Sequence, residues 1–146
     1  MTDQASGTRT DLDNVRAVEN FLYALQDEDF ETADNLLADN VAWQNVGLPT
    51  IHGRERIIKM MRRGEGRFGF EVKIHRIAGE GNTVLTERTD ALVIGPVRMQ
   101  FWVCGVFEVH AGRITLWRDY FDFLDFTKAL LRGIVATLVP SLRPTM

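Results

Sequence analysis

The sequence has one cysteine, Cys104, which excludes an internal disulfide and a cysteine-based zinc site. Its three histidines, His52, His75 and His110, lack metal-ligand spacing, so no metal is expected. Basic residues are not in excess. Seventeen Lys and Arg stand against twenty Asp and Glu, a net charge of −3 that gives no sign of a nucleic-acid surface. No apolar stretch is long and uncharged enough to cross a membrane; the candidate, Phe123 to Val139, is interrupted by Asp125, Lys128 and Arg132. No secretory apolar region follows the start, and Gly64-Glu65-Gly66-Arg67 lacks the lysine and serine of a phosphate loop. Repeats and low-complexity linkers are missing as well. What is present is ordinary globular usage over 146 residues, 45% hydrophobic and 25% charged, enough for one domain of cytoplasmic type.

The hydrophobic period divides the chain. Residues 1–12 are polar and small and read as a flexible tail, with the domain over 13–140 and a second tail over 141–146. Asp13 is placed to cap a helix carrying Val15, Val18, Phe21, Leu22 and Leu25. A short helix follows over Phe30, Ala33, Leu36 and Leu37, then a strand over Val41–Val46. Arg54–Arg63 puts Ile57, Ile58 and Met61 on one helical face. From Phe68 the period becomes two. Strands are expected from Phe68 to about Ile77, over Thr83–Ile94, Val97–Val109 and Ile114–Asp122, separated by short turns that make a meander. The C-terminal apolar segment reads as a helix packed on its own domain or on a dimer partner, and Pro140 and Pro144 end regular structure. The expected fold is α+β: a strongly curved mixed or antiparallel sheet with helices closing a cone-shaped pocket.

The anomaly is charge on strands that should be buried. Strand alternation puts Arg88 and Asp90 on one face with Val84, Thr86 and Leu92, and puts Asp119 between Trp117 and Phe121. A buried carboxylate is costly unless paired, and one guanidinium can bridge two acids. The residues suggest an Asp90–Arg88–Asp119 arrangement in an apolar cavity. A salt bridge that merely holds adjacent strands satisfies the same pattern. So two acids around one arginine admit a catalytic reading, one protonated and one ionised, as water addition to a strained ring requires. Asn45 shares a strand face with Trp43 and could orient a water, or could simply begin the turn toward Gly47 and Pro49. Trp43, Leu92, Trp102, Val106, Trp117 and Phe121 together predict the apolar lining. Cys104, among Trp102, Val103 and Val106, reads as a buried inert thiol.

In Val41-Ala42-Trp43-Gln44-Asn45, Leu85-Thr86-Glu87-Arg88-Thr89-Asp90, Gly105-Val106-Phe107 and Gly112 to Asp122 the chain resembles the limonene-1,2-epoxide hydrolase family, its mycobacterial-type members above all. The resemblance implies the cystatin-like cone shared with nuclear transport factor 2 and ketosteroid isomerase. It further implies cofactor-free, metal-free hydrolysis of a lipophilic epoxide to a vicinal diol, without an ester intermediate. Under it Asp119 is the base, Asp90 the acid, Arg88 the bridge and Asn45 a water-positioning group. Where the family often has tyrosine, this chain has Trp43, whose indole donates but cannot accept. The family usually forms homodimers through the exposed sheet face, and Glu87, Thr89, Arg118 and Tyr120 lie on faces opposite the pocket. Two other readings fit the same cone: an isomerase, dehydratase or cyclase with one Asp as proton shuttle, and a non-catalytic carrier of lipophilic ligands.

Overall fold

The structure, a computed structural model, describes residues 2–146, and side chains from Arg9 onward. Its first element, α1 (Thr2–Gln26), buries Val18, Phe21, Leu22 and Leu25 along one side. Residues 2–12, expected as a flexible tail, continue this helix, and Asp13 lies inside it rather than at its cap; Met1 lies outside the described residues. The reason is tertiary. Asp11 Oδ1 accepts from Gly81 N at 2.9 Å and Asn14 Nδ2 donates to Gly81 O at 3.0 Å, so the helix is fastened to a strand turn where the tail was expected to end. A Cβ on Gly79 would stand 3.2 Å from Asp11 O and 2.9 Å from Val15, which explains glycine at that close approach.

Asp29 caps α2 (Phe30–Leu36), its Oδ1 accepting from Thr32 N at 3.2 Å. Leu37 turns to extended backbone, so β1 (Leu37–Asn45) begins there, earlier than the hydrophobic pattern suggests. A two-residue strand, β2 (Ile51–His52), precedes α3 (Arg54–Arg63). Then come β3 (Phe68–Glu80), β4 (Thr83–Ile94), β5 (Val97–His110) and β6 (Arg113–Tyr120). The expected last strand is shorter than its pattern. Asp122 leaves it to cap α4 (Phe123–Ala136), accepting from Leu124 N at 2.7 Å. Residues 141–146 are not a loose tail either: Arg132 Nε donates to Leu142 O at 2.8 Å and Gln100 Nε2 to Thr145 O at 3.0 Å.

The six strands form one sheet in the order β2-β1-β6-β5-β4-β3. The meander β3 to β6 is antiparallel, and β1 runs parallel to β6 with Asn45 opposite Asp119. Register shifts in β1/β6, β3/β4 and β5/β6 mark bulges, which bend strands and deepen the twist. One core cluster joins α1, α2 and α3 to the sheet through Phe21, Leu22, Ile57, Phe107 and Trp117. A second joins Phe101 and Val103 to Ala129, with Leu92, Phe121 and Phe126 against it. No helix among the described residues is long and apolar enough to cross a membrane.

Candidate active site

A cavity of about 600 Å³ lies between these two clusters. Its wall is largely apolar, with Phe30, Phe70, Leu92, Phe101, Phe121 and Phe126 among its members; Trp43, Asn45, Asp90, Trp117 and Asp119 also face it. Four sequence-read lining residues, Trp43, Leu92, Trp117 and Phe121, are therefore in place. Trp102 and Val106 are not. Trp102 is 56% exposed on the outer sheet face, stacked on His75 at 4.6 Å, and Val106 lines a shallow groove on that same outer face. The tight turn at Gly95-Pro96 sets this phase. It pairs Ile94 with Val97, hence Asp90 with Phe101 and Arg88 with Val103, so the odd-numbered residues of β5 point inward. Phe101 and Val103, on either side of Trp102, line the cavity instead. Cys104 is exposed, not buried, for the same reason.

At the back of the cavity Arg88 is fully buried. Its Nε donates to Asp90 Oδ1 at 2.8 Å and its Nη2 to Asp90 Oδ2 at 3.1 Å, a bidentate pair. Nη1 donates to Thr86 Oγ1 at 3.0 Å. Nη2 also lies 2.7 Å from Asp119 Oδ1. That last approach is an ion pair off the line of a straight hydrogen bond, so Oδ1 keeps acceptor capacity. Asp119 Oδ2 is held by Trp117 Nε1 at 2.9 Å. Trp43 stacks on Trp117, centroids 4.6 Å apart and planes 13° from parallel, and its own Nε1 has no hydrogen-bond partner among the described residues. The arginine, both acids, the Trp117 donor and Asn45 thus meet at one place.

Two participants escaped the sequence reading. A Cβ on Gly105 would stand 2.4 Å from Arg88 Nη1 and 2.7 Å from Thr86 Oγ1. Only glycine leaves room for the guanidinium against β5, and a lone glycine inside a strand was the available signal. Thr86 sat on the correct face, but nothing in its spacing announces that its hydroxyl would accept a hydrogen bond from the arginine.

Burial pushes Asp90 up to about 6, against the opposing pull of Arg88 and with added repulsion from Asp119. Burial also raises Asp119 above the ordinary carboxylate range, while Arg88 and the Trp117 hydrogen bond oppose it. Burial works against the Arg88 charge, but the charges of Asp119 and Asp90 and the hydrogen bonds to Asp90 outweigh it and keep the guanidinium protonated. One cation and two carboxylates in an apolar wall are neutral when the acid pair holds one proton. The pair can then offer a donor and an acceptor together, and the titration belongs to the pair.

The family model of the limonene-1,2-epoxide hydrolase catalytic domain matches residues 12–132. Epoxide hydrolase EphG of Mycobacterium tuberculosis is 58% identical over 146 residues, 100% of this chain and 98% of that protein. A solved M. tuberculosis LEH-like epoxide hydrolase superposes with a TM-score of 0.92 at 60% identity, over 94% of this chain and 98% of the other. An NTF2-like protein from Burkholderia pseudomallei superposes with a TM-score of 0.70 at 16% identity, over 81% and 97% of the two chains, a likeness of fold alone.

Proposed function

The chain belongs to the limonene-1,2-epoxide hydrolase family, and from that premise we propose that it is an epoxide hydrolase adding water to a lipophilic epoxide in one step at Arg88, Asp90 and Asp119. The single observation that carries the mechanism is one buried guanidinium within 2.8 Å of two carboxylates that line an apolar cavity.

Asp119 acts as base. Its Oδ1 has acceptor capacity, its Oδ2 is pinned by Trp117, and Asn45 stands opposite it in the β1–β6 register to help hold the water. Asp90 acts as acid, since burial favours its protonated form up to about pH 6. The water oxygen bonds to an epoxide carbon as the ring carbon–oxygen bond breaks. The water proton goes to Asp119, and the Asp90 proton goes to the ring oxygen. The product is a vicinal diol, the proton count of the pair is unchanged, and no bond to the protein forms. Arg88 balances whichever acid is ionised.

The same reading includes a homodimer on the outer sheet face, where Leu85, Trp102 and Tyr120 are exposed, as tested by the molecular mass in solution. The function is tested by offering terpene, fatty-acid and sterol epoxides and detecting diols. Diol from at least one class, abolished in Asp119→Asn, is expected. Ligand-induced stabilisation without product from any class would reassign the protein as a carrier.

A further inference from the structure

The mouth of the cavity has a character that hydrolysis does not require. Leu48, Met60 and Phe68 line the cavity yet are 51%, 41% and 55% exposed, so they form an apolar rim open to solvent. Exposed apolar side chains gathered at a site entrance mark a docking region. The rim is flanked by positive charge. From Arg54 to Arg67 there are six basic residues against two acidic ones, a local net of +4 in a chain whose net is −3. Arg54 is neutralised by Asp34 and Asp39, at 3.4 and 2.8 Å, and Arg62 sits 5.8 Å above the Phe30 ring. Among the described residues Arg56, Lys59, Arg63 and Arg67 make no ion pair, whereas the nearby acid Glu28 accepts from Gly66 N at 3.3 Å.

Helical spacing arranges these charges. Arg56, Lys59, Met60 and Arg63 stand at i, i+3, i+4 and i+7, on the side of α3 away from buried Ile57 and Ile58. Two of the four, Met60 and Arg63, line the cavity, so the stripe stands at its entrance. We propose that this entrance docks on an anionic membrane surface, with the α3 cations and the following Arg67 on the lipid head groups and Leu48, Met60 and Phe68 in the interfacial layer. Apolar residues ringed by Lys and Arg are the chemistry of interfacial binding, and the attachment is peripheral because no helix spans. A lipophilic epoxide then passes from bilayer to cavity without crossing water. That transfer rests on the hydrolase reading; the docking does not.

The test is co-sedimentation of the full chain with vesicles of equal parts phosphatidylcholine and phosphatidylglycerol, against phosphatidylcholine alone. Binding to the anionic vesicles only is expected, weakening with added salt. Lys59→Gln and Arg67→Gln should each lower partitioning roughly fivefold. Neither side chain lines the cavity, so turnover of a water-soluble epoxide should be unchanged while turnover of a bilayer-dissolved one falls. Equal binding to both vesicle types, no binding, or partitioning insensitive to both variants would overturn the proposal. A change of oligomeric state in Lys59→Gln or Arg67→Gln would also overturn it and assign the rim to a second copy. Vesicle binding is measured without catalysis, so its failure is distinguishable from failure of the hydrolase reading.

Discussion

At the scale of the residue, the two carboxylates differ in how their oxygens are used. Both Asp90 oxygens are held by Arg88, whereas Asp119 has one oxygen fixed by Trp117 and one with acceptor capacity. Asp90→Asn and Asp119→Asn should each lower kcat/KM roughly 100- to 10,000-fold, the range of a lost general acid or base, with the circular dichroism spectrum unchanged. The acid must be protonated, so kcat/KM should fall as pH rises past about 6. The sign for stability is the same. The folded state raises the Asp90 pKa above its unfolded value, so folding favours its proton. The stabilisation is full below 3.8 and is lost as pH rises through about 6. Thermal unfolding across that range should therefore be flatter in Asp90→Asn. Trp117→Phe removes a donor to ionised Asp119, so the acidic limb of the rate profile should move to higher pH. Gly105→Ala presses a methyl against an arginine locked by two ion pairs. It should cost about 1–3 kcal/mol by overpacking and most of the activity.

At the scale of the element, alternation within β4 and β6 made Arg88, Asp90 and Asp119 legible, because a charge on an apolar face is visible from one strand alone. The phase of β5 was equally available, since a two-residue Gly95-Pro96 turn admits one register. Reading β5 by hydrophobicity instead put Trp102 and Val106 inside. Apolar residues occupy both faces of this strand, so its composition does not distinguish them. That α1 is helical through Asp11 and Asn14 was not legible, because what fastens it there, Gly81 N and O, lies 70 and 67 residues away along the chain. Helix ends that carry their own cap are a different matter. Asp122 accepts from Leu124 N and Asp125 N, and Asp122→Ala should lower stability by about 1 kcal/mol in denaturant unfolding. Phe126 of the same helix lines the cavity, so KM should rise with it.

At the scale of the molecule, the site is assembled across the sheet. The parallel β1–β6 pairing places Asn45 opposite Asp119, and the β4–β5–β6 ladder brings Arg88 to Asp119 past Gly105. The Asp90–Arg88–Asp119 arrangement was suggested by alternation and the cost of burying charge, and the family resemblance added the cone around it, which is why the constellation was clearer than its surroundings. The enclosing volume of about 600 Å³ follows from two core clusters that leave space between them, and no periodicity in sequence encodes such a gap. The proposed mechanism is direct addition of water by the acids on either side of Arg88, not an ester on a carboxylate. A single turnover in ¹⁸O-labelled water, with enzyme in excess over epoxide, tests this most directly. The account predicts diol carrying ¹⁸O from the first turnover; unlabelled diol with its oxygen drawn from an aspartate would contradict it.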